Sequence, residues 1–166
     1  MEKVGRWLGI LLLLAISLLP SVQAYDGVDV QGYRLDVEIS PPDHAFRASA
    51  TIRLGVGPGI GSTELLLSRE LSVQAVEDRE GPLEFERQGD GLRIHLRHRG
   101  RDTEVTVAYA GISEGSQQGA WSSIGPDAGY MIYEALWYPL VWGDDAPAEV
   151  RVRVPQGYTV VTVGEL

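Results

Sequence analysis

The side chains best suited to metal or proton-transfer chemistry are three histidines, His44, His95 and His98, because the chain has no cysteine. A zinc site on a sheet needs its ligands on one face with an acidic partner nearby. His95 and His98 stand three positions apart in an alternating segment, so a strand sends them to opposite faces. A solvated strand end explains this pair better than a metal site does. No HExxH pair is present, so the helical zinc-hydrolase motif is missing. Ser62, Ser68, Ser72, Ser122 and Ser123 lack the strand-turn-helix setting of a nucleophile elbow. The glycines of residues 55–61 resemble a phosphate loop only superficially, since neither a lysine nor a helix start follows them. They read as a sheet-connecting loop. Asp144 and Asp145 are adjacent carboxylates without a cleft partner, and they carry no acid-base argument.

A second group of residues suits recognition rather than catalysis. Trp121, Tyr130, Tyr133, Trp137, Tyr138 and Trp142 crowd into one stretch. Aromatic rings cover large areas at small entropic cost, which serves ligand and interface surfaces. The same rings serve as packing beneath a loop, the simpler reading of such a cluster, with recognition as the alternative.

The elements that position these residues follow a signal-like N-terminus. Glu2, Lys3 and Arg6 flank an apolar run over residues 7–19, and Val22-Gln23-Ala24 offers a peptidase cleavage point. A spanning helix needs about 20 apolar residues. Ser17, Pro20 and Ser21 cut this run short, so residues 1–24 read as a cleaved signal peptide and residues 25–166 as one domain. No membrane span is expected after cleavage, and the product is expected in the periplasm or outside the cell. A domain of this size buries roughly 68 % of its unfolded surface and can fold without disulfides. Lys and Arg number 14 against 23 Asp and Glu, a net charge of −9. An acidic surface repels phosphate backbones, which argues against a nucleic-acid partner.

Beyond residue 24 the hydrophobic period is almost everywhere two. Tyr33, Leu35, Val37 and Ile39 alternate with Arg34, Asp36 and Glu38, and Ala48, Ala50, Ile52, Leu54 and Val56 with Arg47, Ser49, Thr51 and Arg53. Pro41-Pro42-Asp43 between them makes a long antiparallel hairpin. The run of leucines within residues 63–67 predicts a central strand covered on both faces. Shorter strands follow over 71–77, 83–87, 92–96, 105–109, 150–154 and 158–163, with residues 112–128 as a long loop or edge. No segment shows helical spacing over three turns. The expected fold is an all-β antiparallel sandwich of about ten strands.

Several of these segments resemble one family in order. Tyr33-Arg34-Leu35-Asp36-Val37-Glu38-Ile39, Phe46-Arg47-Ala48-Ser49-Ala50-Thr51-Ile52 and Thr63-Glu64-Leu65-Leu66-Leu67-Ser68 resemble the opening of the N-terminal domain of zinc aminopeptidases related to aminopeptidase N and leukotriene hydrolase. Val105-Thr106-Val107-Ala108-Tyr109-Ala110-Gly111 is similar to that domain's strand ending in Tyr-x-Gly, and Gly119-Ala120-Trp121 follows in place. Leu136-Trp137-Tyr138-Pro139 is similar to a bacterial Trp-Tyr-Pro, Val152-Arg153-Val154-Pro155-Gln156-Gly157-Tyr158 to Val-x-Val-Pro-x-Gly, and Val163-Gly164-Glu165-Leu166 to the start of a further strand.

The resemblance implies a saddle-like sandwich that packs on a thermolysin-like catalytic domain and walls the site holding the substrate's free amine. Zinc, its ligands and the general-base glutamate belong in that family to the catalytic domain, so the chain itself is expected to be non-catalytic and to hold no cofactor. Many members carry Gln-x-Glu ahead of this region; here Glu134 stands nearby at a different spacing, and the resemblance makes it the candidate amine contact. Two functions follow. One is the N-terminal fragment, or a stand-alone copy, of the substrate-flanking domain, with a catalytic domain as partner in cis or in trans. The other is an independent exported module that binds peptide or glycan through the aromatic stretch.

Overall fold

The computed structural model describes residues 27–112, 122–141 and 143–162. The expected signal peptide lies outside these residues, as do Trp121 and Trp142. In chain order the strands are β1 (Val28–Ser40), β2 (Ala45–Val56), β3 (Ser62–Leu66), β4 (Ser72–Asp78), β5 (Gly81–Pro82) and β6 (Phe85–Gln88). They continue with β7 (Gly91–His95), β8 (Thr103–Ile112), β9 (Ser122–Ile124), β10 (Gly129–Met131) and β11 (Ala148–Arg153). Two 3-10 turns, Pro41–Asp43 and Tyr133–Ala135, are the helical turns among the described residues. The fold is all-β, as the alternation predicts.

The first hairpin forms as its pattern requires. Tyr33 stands opposite Ile52 and Leu35 opposite Ala50, so the apolar positions of β1 and β2 share one face. Pro41 and Pro42 lack the N–H a ladder needs and end β1. His44 then takes a left-handed conformation, φ 54°, and its N–H donates to Pro41 C=O at 3.2 Å. Its ring closes the corner: His44 Nδ1 lies 2.7 Å from Ile124 C=O, a contact that only a protonated Nδ1 makes.

A six-stranded sheet, in the order β11-β1-β2-β8-β4-β5, faces a three-stranded sheet, β3-β7-β6. A hairpin of β9 and β10 stands apart from both ladders. Leu35, Val37, Ala50, Ile52, Leu54, Val105 and Val107 line the inner face of the large sheet, and Leu65, Leu92 and Ile94 that of the small one. They form one core. Each Leu, Ile or Val so buried contributes about 1.5–3 kcal/mol. The opposite face of the large sheet carries Arg34, Asp36, Arg47, Arg53 and Glu104, none of them buried.

Five expectations are corrected. β3 is not central: it is the edge of the small sheet, and its outer side is covered by Leu140 through paired backbone bonds of 2.7 and 3.0 Å to Leu66. Leu65 and Leu67 enter the core while Leu66 is half-buried, so two leucines, not three, carry the interior. β11 runs parallel to β1 rather than antiparallel. Residues 158–162 form no strand; Tyr158 Oη instead donates to Pro126 C=O at 2.8 Å. Within the expected long loop, Ser122–Ile124 is strand β9.

Close backbone approach explains two glycines at this end of the sheet, Gly57 in the glycine-rich loop and Gly100 beyond β7. Gly57 N–H donates to Gly27 C=O at 2.7 Å, and Gly100 N–H to Ile60 C=O at 3.0 Å. Gly100 has φ +62°, and a Cβ there would meet Pro58 Cα at 2.9 Å. Only glycine tolerates both conditions. The turn after β3 is held differently: Arg87 donates to Ser68 C=O at 2.8 Å and reaches Leu67 and Leu71, while Arg69 grips Asp90 through Nε and Nη2 at 3.1 and 2.9 Å.

Candidate functional site

The segment between β10 and β11 carries most of the residues singled out for recognition. It is fastened to the open side of β3: besides the Leu66 and Leu140 bridge, Ser68 N–H donates to Leu136 C=O at 2.8 Å. Leu136 itself is left-handed, φ 50°, and terminates the 3-10 turn of Tyr133–Ala135. That reversal turns Trp137 and Tyr138 inward against the core. Their rings meet edge to face at 4.8 Å, and Tyr138 meets Tyr33 of β1 in the same manner at 5.6 Å.

The aromatic set therefore divides. Trp137 and Tyr138 pack against the core, Tyr133 Oη accepts the Gly143 N–H at 3.0 Å, and Tyr130 on β10 is 53 % exposed. Ile132 is exposed nearby in sequence, followed by exposed Glu134 in the middle of the 3-10 turn. Tyr130, Ile132 and Glu134 form the outward part of the segment.

The sequence reading missed a buried polar group beneath it. Tyr33 Oη donates to Asp144 Oδ2 at 2.8 Å, and Asp144 Oδ1 accepts the Ala146 N–H at 3.0 Å. Burial first, then this bond to the carboxylate, hold the Tyr33 phenol well above its ordinary range. Burial raises Tyr138 as well, with Tyr133 and Asp144 adding to it. Tyr109, fully buried on β8 and edge to face with Phe46 at 6.2 Å, is raised by burial too. Its hydroxyl has no hydrogen-bond partner among the described residues. The available signal was weak: Tyr33 and Tyr109 lie on the apolar side of their strands, where a phenol demands a partner.

The histidines separate. His95 Nε2 lies 3.3 Å from Glu86 and His98 Nε2 2.9 Å from Glu80, while His44 serves its corner. His98 lies beyond the end of β7, so the two are not the strand neighbours their spacing suggested. Among the described residues no three His, Asp or Glu side chains converge. Two shallow surface hollows, of about 340 and 380 Å³, lie beside Phe85 and His95 and beside Arg34 and Glu149. Neither is lined by Glu134 or by the aromatic segment. No described helix is long and apolar enough to cross a membrane.

No family model matches the chain, and no curated protein matches it. Solved structures do. A zinc metallopeptidase of the M1 group from Deinococcus radiodurans superimposes with a TM-score of 0.61 at 20 % identity, covering 77 % of this chain and 32 % of the other. Leukotriene A4 hydrolase from Saccharomyces cerevisiae gives 0.58 at 14 % identity, with 78 % and 24 % covered. The likeness is one of fold, and this chain spans about a third or less of the length of these proteins.

Proposed function

We propose that this chain is the substrate-flanking, N-terminal β domain of an exported zinc aminopeptidase, non-catalytic in itself and seated against a catalytic domain in cis or in trans. The supporting observation is the fold shared over 77 % of this chain with an M1 zinc metallopeptidase. The order of the segments, from the Tyr33 strand to Val152-Arg153-Val154-Pro155, supports the N-terminal placement. In this reading zinc and its ligands sit on the catalytic domain. Glu134, exposed at the end of the outward segment, is the contact for the substrate's free amine. A carboxylate suits that role because it pairs with an ammonium.

Two measurements test it. An immunoblot of source cells with antibody against residues 25–166, in whole-cell and exported fractions, yields an exported band several times the size of this domain if the catalytic domain is in cis. A domain-sized band that captures no zinc peptidase counts against the reading. In the assembled enzyme, Glu134→Ala raises KM for peptides with a free N-terminus; an unchanged KM removes Glu134 from the site.

A second reading draws on the exposure of Tyr130 and Ile132: an exported module that binds peptide or glycan alone. Binding by the isolated domain that is lost in Tyr130→Ala favours it.

A further inference from the structure

On the outer face of the large sheet, Arg53 of β2 stands directly opposite Glu104 of β8. Opposite charges so placed stabilise a sheet when they pair. These two do not pair: Glu104 has Arg79 at 3.7 Å, too far for a hydrogen bond, and Arg53 turns the other way, across β1, where its Nη2 donates to Gln31 C=O at 3.3 Å.

The backbone of β1 is shaped to receive it. A register shift between Val30 and Gly32 makes Gln31 an extra residue in the ladder, a bulge of the kind that re-aims nearby groups. Gly32 stands opposite Arg53, and a Cβ there would come within 2.6 Å of Arg53 Nη2. The guanidinium therefore fills the space that a side chain at position 32 would occupy. Arg34, the next residue on that face of β1, brings a second guanidinium beside it. Arg34 Nε lies 3.8 Å from Glu149, whose carboxylate is bonded instead to Arg151 at 2.7 Å. Both arginines line a single hollow of about 380 Å³, together with Thr51 and Glu104. Thr51 Oγ1 shares a 3.1 Å hydrogen bond with Thr106 Oγ1.

We propose that this hollow binds the zwitterion of a free α-amino acid, with its carboxylate on Arg34, Arg53 and the Thr51 hydroxyl and its ammonium on Glu104. The planar fork of a guanidinium matches a carboxylate, and the bond to Gln31 leaves most of the Arg53 donors open. A bare anion suits the place less well: Glu104 and Glu149 balance the two arginines of the lining, and the whole chain carries a net charge of −9. A ligand bearing both charges escapes that repulsion. An α-amino acid carries them on one carbon, which matches a cation and an anion facing each other across one ladder position, as Arg53 and Glu104 do. The proposal is independent of the peptidase reading.

The test is a titration of the full chain with L-alanine at neutral pH, followed by NMR at the Gly32 and Thr51 amides, with acetate and methylammonium as probes of a single charge. L-alanine should saturate these shifts about tenfold more tightly than either probe. Arg34→Gln and Arg53→Gln should each weaken L-alanine about tenfold, the loss of a charge-assisted bond. Glu104→Gln should weaken L-alanine without weakening acetate. Arg47→Gln, on the same face of the sheet but outside the hollow, should change nothing. The amide spectrum of each variant shows whether it is folded, and the comparison of the three probes needs no variant at all. Acetate binding as tightly as L-alanine would make this an anion site and overturn the proposal. So would the absence of a saturable shift, or an equal weakening by Arg47→Gln.

Discussion

Tyr33 and Asp144, separated by 111 positions in the chain, are joined by a 2.8 Å hydrogen bond that ties β1 to the segment leading into β11. The Tyr33 ring also meets Tyr138 edge to face at 5.6 Å. Tyr33→Phe keeps the ring contact with Tyr138 but strands a part-buried carboxylate oxygen. A bond to a charged acceptor contributes about 1.5–3 kcal/mol, so urea denaturation should show a loss in that range with an unchanged slope.

Tyr109→Phe should behave in the opposite way. The Tyr109 hydroxyl is fully buried without a partner among the described residues, so the fold bears its desolvation with no bond in return. Removing it should leave stability unchanged or raise it by about 1 kcal/mol. A loss comparable to that of Tyr33→Phe in the same denaturant series would show that this hydroxyl is bonded.

The raised tyrosines predict a loss of stability at alkaline pH. Tyr33, Tyr109 and Tyr138 are all held above the ordinary phenol value by burial. For a group whose folded pKa is raised, stability is fully present below the unfolded pKa and is lost as pH rises toward the folded value. Unfolded tyrosine ionises near ~10, so stability should be level with respect to these groups at neutral pH and fall above that point by up to about 1.4 kcal/mol per pH unit for each tyrosine. Thermal melts between neutral pH and pH ~11 read the slope, and Tyr33→Phe should make it shallower.

The alternation of Tyr33, Leu35 and Val37 against Arg34 and Asp36 made the β1 and β2 hairpin and its inward face legible, because a period of two states which side of a strand is apolar. It does not state which strand lies alongside. The parallel placement of β11 against β1 depends on a return of more than a hundred residues, and β3 reads as central because leucines at 65–67 satisfy either an interior strand or an edge covered by Leu140. The short β9 and β10 were hidden in polar composition. In the candidate site, the aromatic cluster was visible as composition. Its division into inward Trp137 and Tyr138 and outward Tyr130 follows from the left-handed Leu136, a conformation that a leucine does not advertise.

The parallel pairing of β1 with β11 bears on how the molecule is made. The opening hairpin can form from neighbouring residues alone, but the other flank of β1 stays unsatisfied until Ala148 and its successors arrive, more than a hundred positions later. The entropy of closing so long a loop must be met before the ladder returns any bonds, and such distant pairings are slow. During that interval Tyr33, Leu35 and Val37 offer an open template beside a freshly formed hairpin. A chain emerging from a ribosome thus holds its most adhesive edge from the start and its cover for last, which makes assistance by a holding chaperone most valuable before β11 appears.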